Sequence, residues 1–185
     1  MKKLMLMISV LLCIGTVVRA QSVYIAQGAK VSFFSTTPVE DIDASSQSMT
    51  SVLNITNGEI AFTVPVSTLK FKKALMEEHF NEKYIESEKY PQASFKGKIN
   101  ETIDWTKEGT YEISSTGVFN IHGVDKPHID KGKAVIKDGK ITITSAFKVA
   151  IRDHNITVPK IVTANIAEII DVKISADYVP YKKTK

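Results

Sequence analysis

The sequence predicts an all-β fold, an antiparallel arrangement of about eight strands that closes on itself, with one amphipathic helix laid against it. Three observations carry this prediction. Apolar and polar residues alternate with period two along most of the chain, Asn-Gly and Asp-Gly pairs stand where hairpins must turn, and the period becomes helical in a single stretch. Closure is expected because an open sheet of this length leaves two unpaired edges. A flattened β-sandwich competes for the same strand pattern.

In chain order, Met49 to Ile55 reads as a strand, Asn57-Gly58 as a turn, and Ile60, Phe62, Val64 and Val66 as the apolar face of the returning strand. Pro65 has no N–H for a ladder, which places it at an edge or a bulge. From Leu69 to Glu88 the period changes. Phe71, Leu75, Met76, His79, Phe80 and Tyr84 recur at helical spacing, with Lys72, Lys73, Glu77, Glu82 and Lys83 opposite them, and the helix ends before Tyr90-Pro91. Its apolar face must lie on the sheet or across a barrel mouth, and Glu77 and Glu78 read as its solvated side.

Alternation then resumes with Ala93, Phe95, Gly97 and Ile99 on one face and Ser94, Lys96 and Lys98 on the other. The run AVIKDGKITITSAFKVAI from Ala134 to Ile151 is a hairpin around Asp138-Gly139, with Ile141, Ile143, Phe147, Val149 and Ile151 on its dry face. Ile170, Val172, Ile174, Ala176 and Tyr178 mark the last strand.

The first twenty residues carry Lys2 and Lys3, an apolar run from Leu4 to Val18, and Val18-Arg19-Ala20 before Gln21, which is the pattern of a cleaved export signal. The expected organisation is a signal peptide over 1–20 and one domain over 21–185, in the periplasm or secreted, with no integral membrane segment. Cys13, the only cysteine, lies in that leader after Leu12 rather than a small residue, so a lipid anchor is not expected. Removing Lys2, Lys3 and Arg19 takes the 24 basic residues to 21 against 20 acids, which cuts the net charge from +4 to +1. Nucleic-acid binding, which needs clustered basic residues with interleaved aromatics, is excluded on that pattern.

An eight-stranded barrel is either filled by its own side chains or holds one small ligand, and periodicity does not choose between them. The inward faces offer Phe62, Phe95, Tyr111, Ile113, Phe119, Ile121, Ile143, Phe147, Val149 and Ile174, with no acid or lysine among them. The four histidines lack metal-ligand spacing, so no metal or cofactor is expected. His79 on the helix face is open to a packing role or to hydrogen bonding of a ligand head group. His122 before Gly123 reads as a structural hydrogen-bonding group, and His128 after Pro127 as a solvent-exposed loop residue. Asp153 and His154 point to opposite faces of the backbone, and Arg152 reads as a mouth or surface ion-pair partner.

Three blocks of residues resemble the YceI-like family of exported lipid-binding proteins. They are Met76-Glu77-Glu78-His79 with Tyr90-Pro91-Gln92-Ala93-Ser94-Phe95, then Gly117 through His122-Gly123-Val124-Asp125-Lys126-Pro127, then Phe147 through Arg152-Asp153-His154-Asn155-Ile156. Asn155 departs from the glycine common at that place, but asparagine tolerates the positive φ of such a turn. The resemblance implies an extended, lipocalin-like antiparallel barrel with an apolar tunnel for polyisoprenoids, isoprenoid quinones or related long-chain amphiphiles. The expected ligand contacts are Leu75, Met76, His79, Phe80 and Arg152 together with Phe62, Phe95, Tyr111, Ile113, Phe119, Ile121, Ile143, Phe147 and Val149.

The function expected is sequestration without turnover, the chain admitted past the helix or the loops near Asn155. Two alternatives stay open: an enzyme using His79 or His154 as acid or base, and a filled barrel acting through its outer surface. Pairing of two copies through an exposed strand is also open.

Overall fold

The structure, a computed structural model, describes residues 22–159 and 164–182; the expected leader lies outside them. Among these residues nine strands form one antiparallel sheet: β1 (Val23–Thr36), β2 (Asp41–Asn54), β3 (Glu59–Pro65), β4 (Lys70–Phe71), β5 (Gln92–Ile99), β6 (Gly109–Ile121), β7 (Val124–Lys137), β8 (Lys140–Ala150) and β9 (Ile169–Pro180). The order runs β1-β9-β8-β7-β6-β5-β3-β2, and β2 pairs back onto β1. This closes an eight-stranded barrel, with β4 pairing beside the start of β2. Closure removes the edges that an open sheet would leave.

The hairpins turn where the sequence places them. Asp138 and Gly139 have φ of 49° and 70°, and His122 and Gly123 have 53° and 71°, so both two-residue turns take positive φ at each centre as a type I′ turn requires. Pro65 ends β3, where a missing N–H interrupts nothing further.

The helix is shorter than its apolar spacing predicts. Lys70 and Phe71 pair with Ser45 and Ala44 of β2, so the sheet takes the start of the stretch, and α1 runs only from Ala74 to His79 before a π-helical turn from Phe80 to Tyr84. Phe71 shows the inward spacing of a helix residue while being a strand residue. Glu77 is not free in solvent: its carboxylate accepts from Lys70 Nζ at 2.5 Å and from the Phe71 N–H at 3.3 Å, tying α1 to β4.

Pro127 and His128 lie within β7 and not in a loop. The β7–β8 ladder stops at Gly132↔Ser145, while β7–β6 continues to Val124↔Ile121, so Pro127 sits on a stretch paired on one side only. From that stretch His128 turns inward.

The barrel has two unlike halves. Where β2 ends and β3 begins, Leu53, Ile60, Ile99, Ile113, Ala134, Ile136, Ile141, Ile143, Ala176 and Tyr178 are all buried and fill the interior. Tyr178 crosses this core and donates to Ser51 Oγ, which donates in turn to the Ala61 carbonyl at 2.8 Å. Burial pushes that phenol well above its ordinary pKa. The other half, where α1 lies, is not filled. No helix among the described residues is long and apolar enough to cross a membrane.

Candidate functional site

The inward faces of the second half enclose a cavity of about 370 Å³. Its walls come from every side of the barrel: Phe33 of β1, Phe62 of β3, Phe119 of β6, Phe147 of β8, and Val172 and Ile174 of β9. The roof is Met76, His79 and Phe80. Phe33, Phe71 and Phe80 hold that roof in place, with ring centroids 5.6 Å apart for Phe33–Phe71 and Phe33–Phe80 and 5.0 Å for Phe71–Phe80.

The floor is Phe95. Its ring lies over two glycines that face each other across β5 and β6: a Cβ on Gly97 would stand 2.5 Å from Phe95 Cζ, and one on Gly117 2.8 Å from it. The chain needs glycine at both positions for the ring to lie flat there. Beyond Gly117 in the same row stands His128, whose ring packs 4.9 Å from Phe147, 5.5 Å from Phe119 and 6.3 Å from Phe95.

At the rim the polar groups bind one another. Glu40 accepts from Lys73 Nζ at 2.7 Å and from Asn165 Nδ2 at 3.3 Å, and the Ala167 N–H donates to buried Ser35 Oγ at 2.9 Å. The bonds from Lys73 and Asn165 hold the Glu40 carboxyl below its usual pKa, Lys73 contributing most.

Of the residues singled out by sequence, Phe62, Met76, His79, Phe80, Phe95, Phe119, Ile121, Phe147 and Val149 come together on this lumen. Five do not. Tyr111, Ile113 and Ile143 face inward as expected but stand in the filled half, and Leu75 is 60% exposed on the outer side of α1. Arg152 lies in the turn after β8 with its side chain in solvent, 3.9 Å from Asp153. Sequence reasoning passed over Phe33, whose strand is irregular between Ala26 and Val31 and shows no clean alternation there. It also passed over His128, hidden by the proline before it.

The residues that carried the family resemblance meet at one corner of the rim. The Tyr90 ring packs edge-on against His122, 4.3 Å between centroids. His122 places Nδ1 3.1 Å from the His154 carbonyl and Nε2 2.7 Å from Glu86 Oε2, so both nitrogens face acceptors. His154 places Nδ1 3.3 Å from the Val124 carbonyl and packs its ring 5.8 Å from Phe119. Burial pushes the His154 imidazole below its ordinary pKa. Asn155 takes φ 58°, the turn expected of it. Three separated segments are thus clasped together, and the motif histidines His122 and His154 are bonded to backbone and to Glu86. His79 is the one of the two histidines considered for acid–base work that stands on the lumen.

A family model described as the YceI-like domain matches residues 24–178. Among solved structures, a polyisoprenoid binding domain from Saccharophagus degradans implicated in plant cell wall breakdown superposes with a TM-score of 0.71 at 10% identity, covering 88% of this chain and 100% of that one. BcnA of Burkholderia cenocepacia gives 0.69 at 15% identity over 80% and 95% of the two chains. The YceI protein of Campylobacter jejuni gives 0.55 at 17% identity over 71% and 78%. No curated protein matches the chain.

Proposed function

The chain belongs to the family of YceI-like domains, and from that premise we propose that it binds and shields an apolar chain, a polyisoprenoid or a related lipid, inside the barrel. The observation that carries this reading is the cavity of about 370 Å³, walled by aromatic and aliphatic side chains and roofed by α1. The name of the Saccharophagus neighbour, a polyisoprenoid binding domain, agrees with it.

The size of the lumen bounds the ligand. At about 30 Å³ per water-sized group the enclosed space takes roughly a dozen non-hydrogen atoms, or two to three five-carbon isoprene units. Each buried CH₂ contributes about 0.8 kcal/mol, so those units supply roughly 8–10 kcal/mol before association costs of about 4–15 are subtracted. A longer chain leaves the lumen past the rim. Nothing in this mechanism requires turnover: inward side chains hold the tail and the helix covers it.

Export to the periplasm or beyond belongs to the same proposal, supported by the leader pattern of residues 1–20. Native mass spectrometry of protein purified from its own cells tests the binding reading. The expected spectrum contains a complex heavier by the mass of one extractable lipid, which delipidation removes and an added isoprenoid restores. Protein that arrives empty and takes up no isoprenoid after delipidation refutes it.

A further inference from the structure

We infer that the lumen floor is a polar subsite, and that the ligand selected carries a hydrogen-bonding oxygen, as hydroxyl, carbonyl or amide, on the part of its chain buried deepest. This inference rests on the proposed lipid-binding reading and adds to it the chemistry of the buried end.

Between rim and floor the wall is apolar, but at the floor His128 enters from β7 because Gly117 opposite it has no side chain. Its Nε2 is buried with no hydrogen-bond partner among the described residues. Polar groups so placed are normally satisfied, by protein or by something bound. Asn81 Oδ1 is the other unpaired buried atom among them, and Asn81 does not line the lumen. Rim polar groups, by contrast, are paired with each other. The one buried lumen atom without a partner among the described residues therefore lies at its base.

The surroundings of His128 fit a neutral polar guest. Ser115 and Asp130 stand on the lumen wall beside it, Asp130 already accepting from Ser145 Oγ. Just below, Ser115, Asp130 and Ser145 line a void of about 20 Å³, room for one water. An imidazole nitrogen donates or accepts according to its tautomer, so Nε2 serves a hydroxyl, a carbonyl or an amide equally.

The test compares 1-decanol with undecane, equal in non-hydrogen atoms, each delivered from cyclodextrin to the delipidated full chain and followed by displacement of a lumen-bound fluorescent fatty probe. The inference expects His128→Phe to weaken 1-decanol relative to undecane by about two- to tenfold, the size of one neutral hydrogen bond, and His128→Gln to restore the ratio. It also expects the His128 Nε2 nitrogen resonance of the unmutated protein to move on saturation with 1-decanol and to stay with undecane. An unchanged ratio in His128→Phe, or a resonance that responds alike to both, overturns the polar floor while leaving lipid binding standing. If neither molecule displaces the probe from the unmutated protein, the lipid-binding reading falls and the inference with it.

Discussion

The end of the barrel around Tyr178 and the end beneath α1 are built from the same eight strands with the same inward phase, yet one is solid and the other hollow. Hydrophobicity does not separate them. In the solid half small residues alternate with large ones: Ala26, Ala134 and Ala176 make room for Leu53 and Tyr178, both 0% exposed, so side chains from opposite walls meet. In the hollow half Phe33, Phe62, Phe119 and Phe147 stand at comparable height around the ring and none crosses it. There the β7–β8 ladder is absent, and α1 supplies a roof where the other half has side chains. A void in a small barrel is thus a matter of which sizes face each other, and a closing element is needed to keep it dry.

The largest expected effect separates the halves by stability. Leu53→Ala removes a side chain from full packing and is expected to cost about 2–5 kcal/mol in denaturant unfolding, with isoprenoid affinity per folded molecule unchanged. A matching loss of affinity would mean that the two halves are one cooperative ligand site.

Phe119→Ala acts on the hollow half and reverses the pattern. Its ring is only partly buried, so the stability cost is expected near 1–2 kcal/mol, less than full burial of a phenylalanine, while isothermal titration with farnesol shows about tenfold weaker binding. Equal affinity for mutant and parent would remove this ring from the binding wall.

Tyr178→Phe sharpens the account of the solid half. Ser51 keeps its bond to the Ala61 carbonyl and loses only the phenol donor, so thermal unfolding should register a loss of about 0.5–1.5 kcal/mol and no change in ligand uptake.

The smallest effect is pH-dependent and sits at the clasped rim. Because the folded chain holds His154 below its ordinary value of 6.5, the unfolded chain binds a proton there that the folded one refuses. Stability therefore falls as pH drops below about 6.5 and is regained on returning above it. A second loss follows below about 4.5, where Glu77 and Glu40, held down by Lys70 and Lys73, must protonate. His154→Gln should flatten the first limb of a Tm–pH profile and leave the second; a first limb of unchanged slope would assign it elsewhere.

How much of this was legible in the sequence depends on direction. Inward and outward phase was readable everywhere the pattern is clean, because it follows from the period of the backbone. Height along the barrel was not. Ile143 and Phe147 lie on one face of one strand, about 13 Å apart at roughly 3.3 Å per residue, and only the partners across the ring decide that the first packs and the second lines a cavity. Phe71 carried helical spacing and became a strand residue because β2 offered it backbone bonds. The motif residues marked the family correctly, but His122 and His154 are bonded within the rim clasp and do not line the cavity in the way Phe119 and Phe147 do. Local pattern is blind to which residues meet across thirty positions of chain.

On the proposed binding reading, the space beneath α1 takes a chain of about two to three isoprene units. Affinities of geraniol, farnesol and geranylgeraniol for delipidated protein, measured by titration calorimetry, decide it. An increase of about tenfold or more is expected from the first to the second, with near equality of the second and third. Absence of binding across the series, or an equal gain at every added unit, would contradict it.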